Sequence, residues 1–236
     1  MKKLLSKTVK AIHELNLIEK GDKVAVGLSG GKDSLLLLKL LAEYKKYNDS
    51  DFELIAITIN QGKRGTDFST LKQFCDKLNV PFVVEESDIF EIVFDLRKEK
   101  NPCSLCSKMR RGALCNKAKE LGFNKVALGH HANDLVETLL LSMMYEGRLS
   151  TFSPKTELTK TGITVIRPMV YLTEGEVVSA TVNFPIFKNP CPANKNTKRE
   201  DAKNLVKQLS NGDKLIEQNL INSIIHPERY NLWNIK

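Results

Sequence analysis

The chain has 236 residues, 42% of them hydrophobic and 27% charged. That length and balance describe one large domain with a sizeable core, and they exclude collagen-like, coiled-coil and wholly disordered chains. Lysine and arginine total 36 against 28 acidic residues, a net charge of +8, and no apolar run of about 18 residues occurs, so no membrane span is expected.

The N-terminus, MKKLLSKTVKAIHELNLIEKGDK, begins like a signal peptide but lacks an apolar stretch and a small-residue cleavage site. It reads as an amphipathic helix within 1–20 on a cytoplasmic protein. VAVGLSGG (24–31) is a short apolar run ending in small residues, the pattern of a buried parallel strand entering a tight turn. A leucine-rich helix follows over Asp33–Lys46, then a second strand at 52–60. Leu71, Phe74, Cys75 and Leu78 recur at helical spacing and predict a helix over 69–79 with Cys75 on its core face. A third strand covers 80–87, and a helix from about Ser104 to Leu121 is ended by Gly122. A fourth strand (125–131), a helix (135–145), a fifth strand (163–168) and a helix from Glu174 to about Val182 complete the alternation. Proline-rich residues 184–196 form a loop, and 199–225 read as one or two polar helices. Strands alternating with helices predict an α/β fold built on a doubly wound, parallel, five-stranded sheet.

Between Arg97 and Lys125 lie nine basic and two acidic residues, a net +7 of the chain's +8. Such a segment is either a solvated helix face or a surface for a polyanion, nucleic acid being the commonest. The cysteines, at 75, 103, 106, 115 and 191, are odd in number. Metal or redox use is expected of some of them rather than a disulfide framework.

Four features carry chemistry. Ser29-Gly30-Gly31-Lys32-Asp33-Ser34 stands where the first strand turns into a helix. Two glycines allow a sharp turn, and the free N–H groups of turn and helix form a nest for an anion. Lys32 adds a point charge, Ser29 and Ser34 add hydroxyls, and Asp33 can hold Mg²⁺. The lysine is followed by Asp33 instead of Ser or Thr, so this is not a Walker A loop. Cys103-Ser104-Leu105-Cys106 is compatible with a redox pair, half a zinc site or two ligands of an iron–sulfur cluster. Cys115 lies nine residues past Cys106, half a turn out of phase on one helix, and is expected to pack. Cys191, in NPCPAN, is either a surface thiol or the third member of a set with the CxxC pair. Finally, GHHANDLVET (129–138) ends the fourth strand, and Asn133 or Asp134 is expected to cap the next helix. Adjacent strand residues face opposite ways, which argues against a zinc site on His130 and His131.

SGGKDS, CSLCSKMRRG, ALGHHANDLVETLL and IRPMVYLTEGEV, followed by NFPIFKNPCP, appear in an order that resembles the TtcA-type tRNA 2-thiocytidine synthetases. These are iron–sulfur tRNA thiolases of the PP-loop, or N-type ATP pyrophosphatase, superfamily. The resemblance covers about residues 20–192. It implies a PP-loop domain over 21–187 with a CxxC insert near 101–111, and a cysteine loop with C-terminal helices over 188–236. Leu28, Ser29, Gly30, Gly31, Lys32, Asp33 and Ser34, with Asn60, Gly129 and His130, would form the ATP site. Cys103, Cys106 and Cys191 would bind a [4Fe–4S] cluster, and Asp33 would bind Mg²⁺. Lys32, Asp33, Arg110 and Asp134 would be catalytic, and Lys108, Arg110 and Arg111 would contact tRNA. The implied partners are tRNA, a sulfur donor such as a cysteine desulfurase persulfide or free sulfide, and a second copy of the chain. Three positions depart from the family pattern: Asn60 and Asn133 stand where acidic residues are usual, and the surroundings of Cys191 are spaced differently. A PP-loop ligase using a nitrogen nucleophile, a thiolase acting on uridine or a small molecule, and a non-catalytic ATP-binding module are the alternatives.

Overall fold

A computed structural model describes residues 1–47, 51–62, 65–97, 102–187 and 198–232. Six strands make one sheet: β1 (Lys23–Gly27), β2 (Glu53–Asn60), β3 (Phe82–Glu86), β4 (Lys125–Ala127), β5 (Lys155–Leu158) and β6 (Ile163–Ile166). Their order is β3-β2-β1-β4-β6-β5. All neighbours are parallel except β5, which runs antiparallel along β6. The expected five strands are present, and β5 is a sixth. KTEL is short and polar, and one neighbouring strand at the edge imposes no hydrophobic alternation on it.

The central strands are buried on both faces, which is why they read as unbroken apolar runs. Val24, Val26, Leu54 and Ala56 join one core, with the leucines of α2 (Lys32–Tyr47) and with Leu4 and Ile12 of α1 (Lys2–Glu14). Ala25, Ile55 and Ile57 join the opposite core, with Leu114, Cys115 and Ala118 of α4 (Pro102–Glu120). Alternate residues thus serve two helical layers, and the sheet is doubly wound. α3 (Ser69–Leu78) ends at Asn79, whose left-handed φ of 55° closes the helix. α5 (Ala132–Glu146), α6 (Glu174–Ala180), α7 (Lys198–Ser210) and α8 (Lys214–Ile225) complete the chain, and α7 and α8 pack against α5 through Val136, Val206 and Ile221.

Strand order reverses between β1 and β4, so their carboxyl ends diverge and leave a crevice, the place where open α/β sheets bind ligands. β4 is three residues long instead of the seven expected. Pairing stops after Leu128 donates to Ile166 O at 2.9 Å, and the chain then turns across the start of α2. No helix among the described residues is long and apolar enough to cross a membrane.

Candidate nucleotide and RNA site

A cavity of about 440 Å³ occupies the crevice. Its walls come from the ends of four strands and from α4. One wall is the loop after β1. Gly30 there has φ 82°, and a side chain on it would meet Phe187 Cβ at 2.6 Å, so glycine is required twice over. Phe187 N–H donates to Gly30 O at 2.9 Å, which ties the segment leading towards Cys191 to the loop. Ser29 Oγ lies 3.1 Å from Ser34 Oγ, and Ser34 donates to Gly31 O at 3.0 Å. Lys32 Nζ donates to Asp33 Oδ2 at 3.2 Å and stands 3.9 Å from Glu174. Asp33 Oδ1 lies 3.0 Å from the same ammonium, yet it is buried and accepts no hydrogen bond, an arrangement that suits a bound cation.

Leu28, Ser29, Asp33, Ser34, Asn60, Gly129 and His130 line the cavity. Gly129 packs against backbone: a Cβ there would lie 2.9 Å from the C and O of Asp33. The structure gives Asn60, where the resemblance leads one to expect an acidic residue, a role that needs an amide. Its amide donates to Glu86 Oε2 at 2.7 Å, and an aspartate would repel that carboxylate.

The facing wall is a stripe of α4 formed by Ser107, Arg110, Arg111 and Leu114 at helical spacing. Cys103 stands one turn before Ser107 on the same face and is exposed, whereas Cys106 is buried with its Sγ 3.5 Å from Gln61 Oε1. The helix begins at Pro102, so both thiols sit in its first two turns. Two soft thiols in that setting fit a metal cluster's needs. Cys191 lies outside the described residues. Cys75 and Cys115 pack in the two cores as expected. Burial pushes the Cys75 thiol up to about 12 and also raises that of Cys115.

Other expectations are modified. The N-cap of α5 is His131, and Asp134 Oδ2 accepts its N–H at 2.8 Å from within the first turn. Asp134 also faces Arg199 at 3.7 Å. Asn133 does not cap its own helix. Its Oδ1 accepts from Glu174 N–H at 2.8 Å while its amide donates to Glu217, a pair of roles that an aspartate cannot fill. His131 is buried, with Nε2 3.8 Å from Asp33 Oδ1. The +7 segment is not all surface: Lys125 is buried with Asp22 at 2.5 Å, and Lys117 is paired with Glu85 and Glu120. Lys108 and Arg111 are exposed, and Arg110 is half-buried.

The sequence reading missed Phe152 and Arg167, which close the end of the cavity beyond His130. Arg167 carried a usable signal, a basic residue directly after a buried strand on the carboxyl side of the sheet.

Fold and crevice together define a nucleotide-binding PP-loop protein, and a PP-loop domain matches residues 2–209. Among similar proteins, "tRNA-cytidine(32) 2-sulfurtransferase 1" of Francisella philomiragia is 40% identical over 227 residues, covering 94% of this chain and 89% of the relative. The "tRNA-cytidine(32) 2-sulfurtransferase" of Legionella pneumophila is 37% identical, covering 100% and 86%. The chain belongs to this PP-loop family of tRNA-cytidine(32) 2-sulfurtransferases. The U34-tRNA thiolase of Methanococcus maripaludis, solved with its [4Fe–4S] cluster, shares the fold, with TM-score 0.77 at 24% identity over 100% of this chain and 80% of that one.

Proposed function

We propose that the protein is an ATP-dependent tRNA sulfurtransferase that replaces the C2 oxygen of a tRNA cytidine with sulfur. The observation carrying this reading is that one cavity joins the phosphate nest after β1 to the arginine stripe of the cysteine-bearing helix α4.

The C2 oxygen attacks the α-phosphorus of ATP and the bond to pyrophosphate breaks. A sulfur nucleophile then adds to C2, and AMP leaves with the original oxygen. The N–H groups of 29–34 hold the phosphates, and Lys32 moves from Asp33 and Glu174 onto the leaving pyrophosphate, where negative charge develops. Asp33 Oδ1 would hold Mg²⁺. Arg110 stands between the reacting phosphate and the RNA backbone, which Arg111 and the exposed Lys108 also take, and Asp134 positions the segment that carries His130. A [4Fe–4S] cluster on Cys103, Cys106 and Cys191 would supply sulfur-transfer chemistry that side chains lack. The sulfur comes from free sulfide, or from a desulfurase persulfide whose S–S bond a thiol reductant cleaves, and the working form is a homodimer.

The test is anaerobic incubation of the full chain with tRNA, ATP, Mg²⁺ and sulfide, scoring pyrophosphate and 2-thiocytidine. Cys103→Ser and Cys106→Ser should lose both the visible absorption of the cluster-loaded protein and the thiolated product, whereas Cys75→Ser and Cys115→Ser keep both. Pyrophosphate released without thiolated RNA, and indifferent to Cys103→Ser, would point to a nitrogen ligase instead.

A further inference from the structure

Arg167 is 4% exposed, and its Nε and Nη1 donors are committed. Nη1 reaches Ser153 O at 2.5 Å and Thr156 Oγ1 at 3.2 Å, and the guanidinium carbon stands 4.9 Å from the centre of the Phe152 ring. Nε–H points at His130 Nδ1, 3.2 Å away. A guanidinium only donates, so His130 Nδ1 must present its lone pair, and the ring proton must sit on Nε2. An imidazolium would set N–H against N–H. The surrounding charges agree with this. Asp134 on α5 favours the charged ring, but burial outweighs it, and Arg167 on the β6 side, Arg199 on α7 and neighbouring His131 add to the burial, pushing His130 down to about 4.

The ring lines the cavity and lies 4.9 Å from that of Phe152, tilted by 36°. Nε2–H is on the side of the imidazole away from Arg167. Across from it, Arg110 and Arg111 also only donate. Cytosine and uracil share the C2 oxygen but differ beside it: cytosine N3 accepts a hydrogen bond, whereas uracil N3–H donates one. A fixed donor facing the reacting C2–N3 edge therefore bonds cytosine and leaves a donor–donor clash with uracil.

We infer that His130, locked as the Nε2–H tautomer by Arg167, is the donor that selects cytosine over uracil at the reacting base. This rests on the sulfurtransferase reading above. His130 touches the base, and Arg167 is a positioning residue acting through it.

The test uses the full, cluster-loaded chain and two tRNA transcripts that differ only by C or U at the modified position. Nitrogen-15 NMR of histidine-labelled protein, with His130→Asn assigning the signal, should show His130 protonated on Nε2 alone from pH 6 to 8 and a mixture of tautomers in Arg167→Met. The ratio of kcat/KM for the C and U transcripts should fall about 10- to 100-fold in Arg167→Met and in His130→Asn, the cost of one unpaired buried donor. Arg167→Lys, which keeps a donor, should restore most of the ratio. An Nδ1–H or charged His130 in the wild type overturns the inference. Product from both transcripts with unchanged ratios in both variants overturns base selection alone. No product from either transcript overturns the sulfurtransferase reading and base selection with it.

Discussion

The two walls of the cavity are built in opposite ways. The phosphate wall is one contiguous hexapeptide, Ser29–Ser34, bent by its own glycines at the end of one strand. The proposed base wall is assembled from α4 (Arg110, Arg111), the turn after β4 (His130), the approach to β5 (Phe152) and the end of β6 (Arg167), residues spread over nearly sixty positions. The first carries its geometry in local backbone preferences and is the wall we propose to hold the ATP phosphates. The second exists only once the sheet has formed, and it is where a choice among substrates is expected to lie.

The largest effect should come from the local wall. Lys32→Ala and Asp33→Ala remove the proposed pyrophosphate cation and metal carboxylate, and pyrophosphate release should fall about 10²- to 10³-fold, the usual loss for one preorganised charge-stabilising group. Melting temperature should barely change, because both side chains are partly exposed. Wild-type release rates in both variants would mean that the nest does not hold ATP.

A smaller effect is expected on the assembled wall. Replacing Arg110 and Arg111 together by Ala should weaken tRNA binding across sequences and flatten its dependence on salt by up to about two units, one per lost phosphate contact. Lys117→Ala should leave the slope unchanged, since that ammonium is held by Glu85 and Glu120. The comparison breaks if Lys117 and the arginine pair behave alike, because the positive segment would then act as a diffuse field instead of a built surface.

The contrast between the walls also explains what could be read from the sequence. Buried strands and amphipathic helices were legible because their hydrophobic periods are local, and SGGKDS was legible because glycine and an anion nest go together at a strand end. β5 was not, since an edge strand of KTEL carries no apolar alternation. The charge count between Arg97 and Lys125 misled in part: a count cannot show that Lys125 is buried on Asp22. The partners of Asn60 and Asn133, namely Glu86, Glu174 and Glu217, lie 26 to 84 positions away. Only packing shows why an amide serves there and a carboxylate would not. The tautomer of His130 was equally hidden, because it depends on Arg167, 37 residues on.

The smallest expected effect lies where the walls meet. Gly129 joins β4 to the segment carrying His130, and it packs against the Asp33–Ser34 peptide in the first turn of α2. A methyl group there would stand 2.9 Å from Asp33 C and O and 3.1 Å from Ser34 N. These are backbone atoms, so neither can rotate away, and Gly129→Ala must push the phosphate loop and the base wall apart by a few tenths of an ångström. Overpacking of this kind costs about 1–3 kcal/mol, a fall of roughly 2–4 °C per kcal/mol for a chain of this size. The displacement also separates the ATP phosphates from the base, so kcat should drop more than ATP affinity, because near-attack geometry is more sensitive to distance than binding is. Gly112→Ala is the matched control. It lies inside α4 beside Arg111, a methyl there meets nothing within 4 Å, and the helix should gain about 0.5–1 kcal/mol. Thermal melts and single-turnover adenylation of the two variants measure both quantities. If Gly129→Ala melts and reacts like Gly112→Ala, the two walls are not in contact at Gly129 and their spacing is set elsewhere.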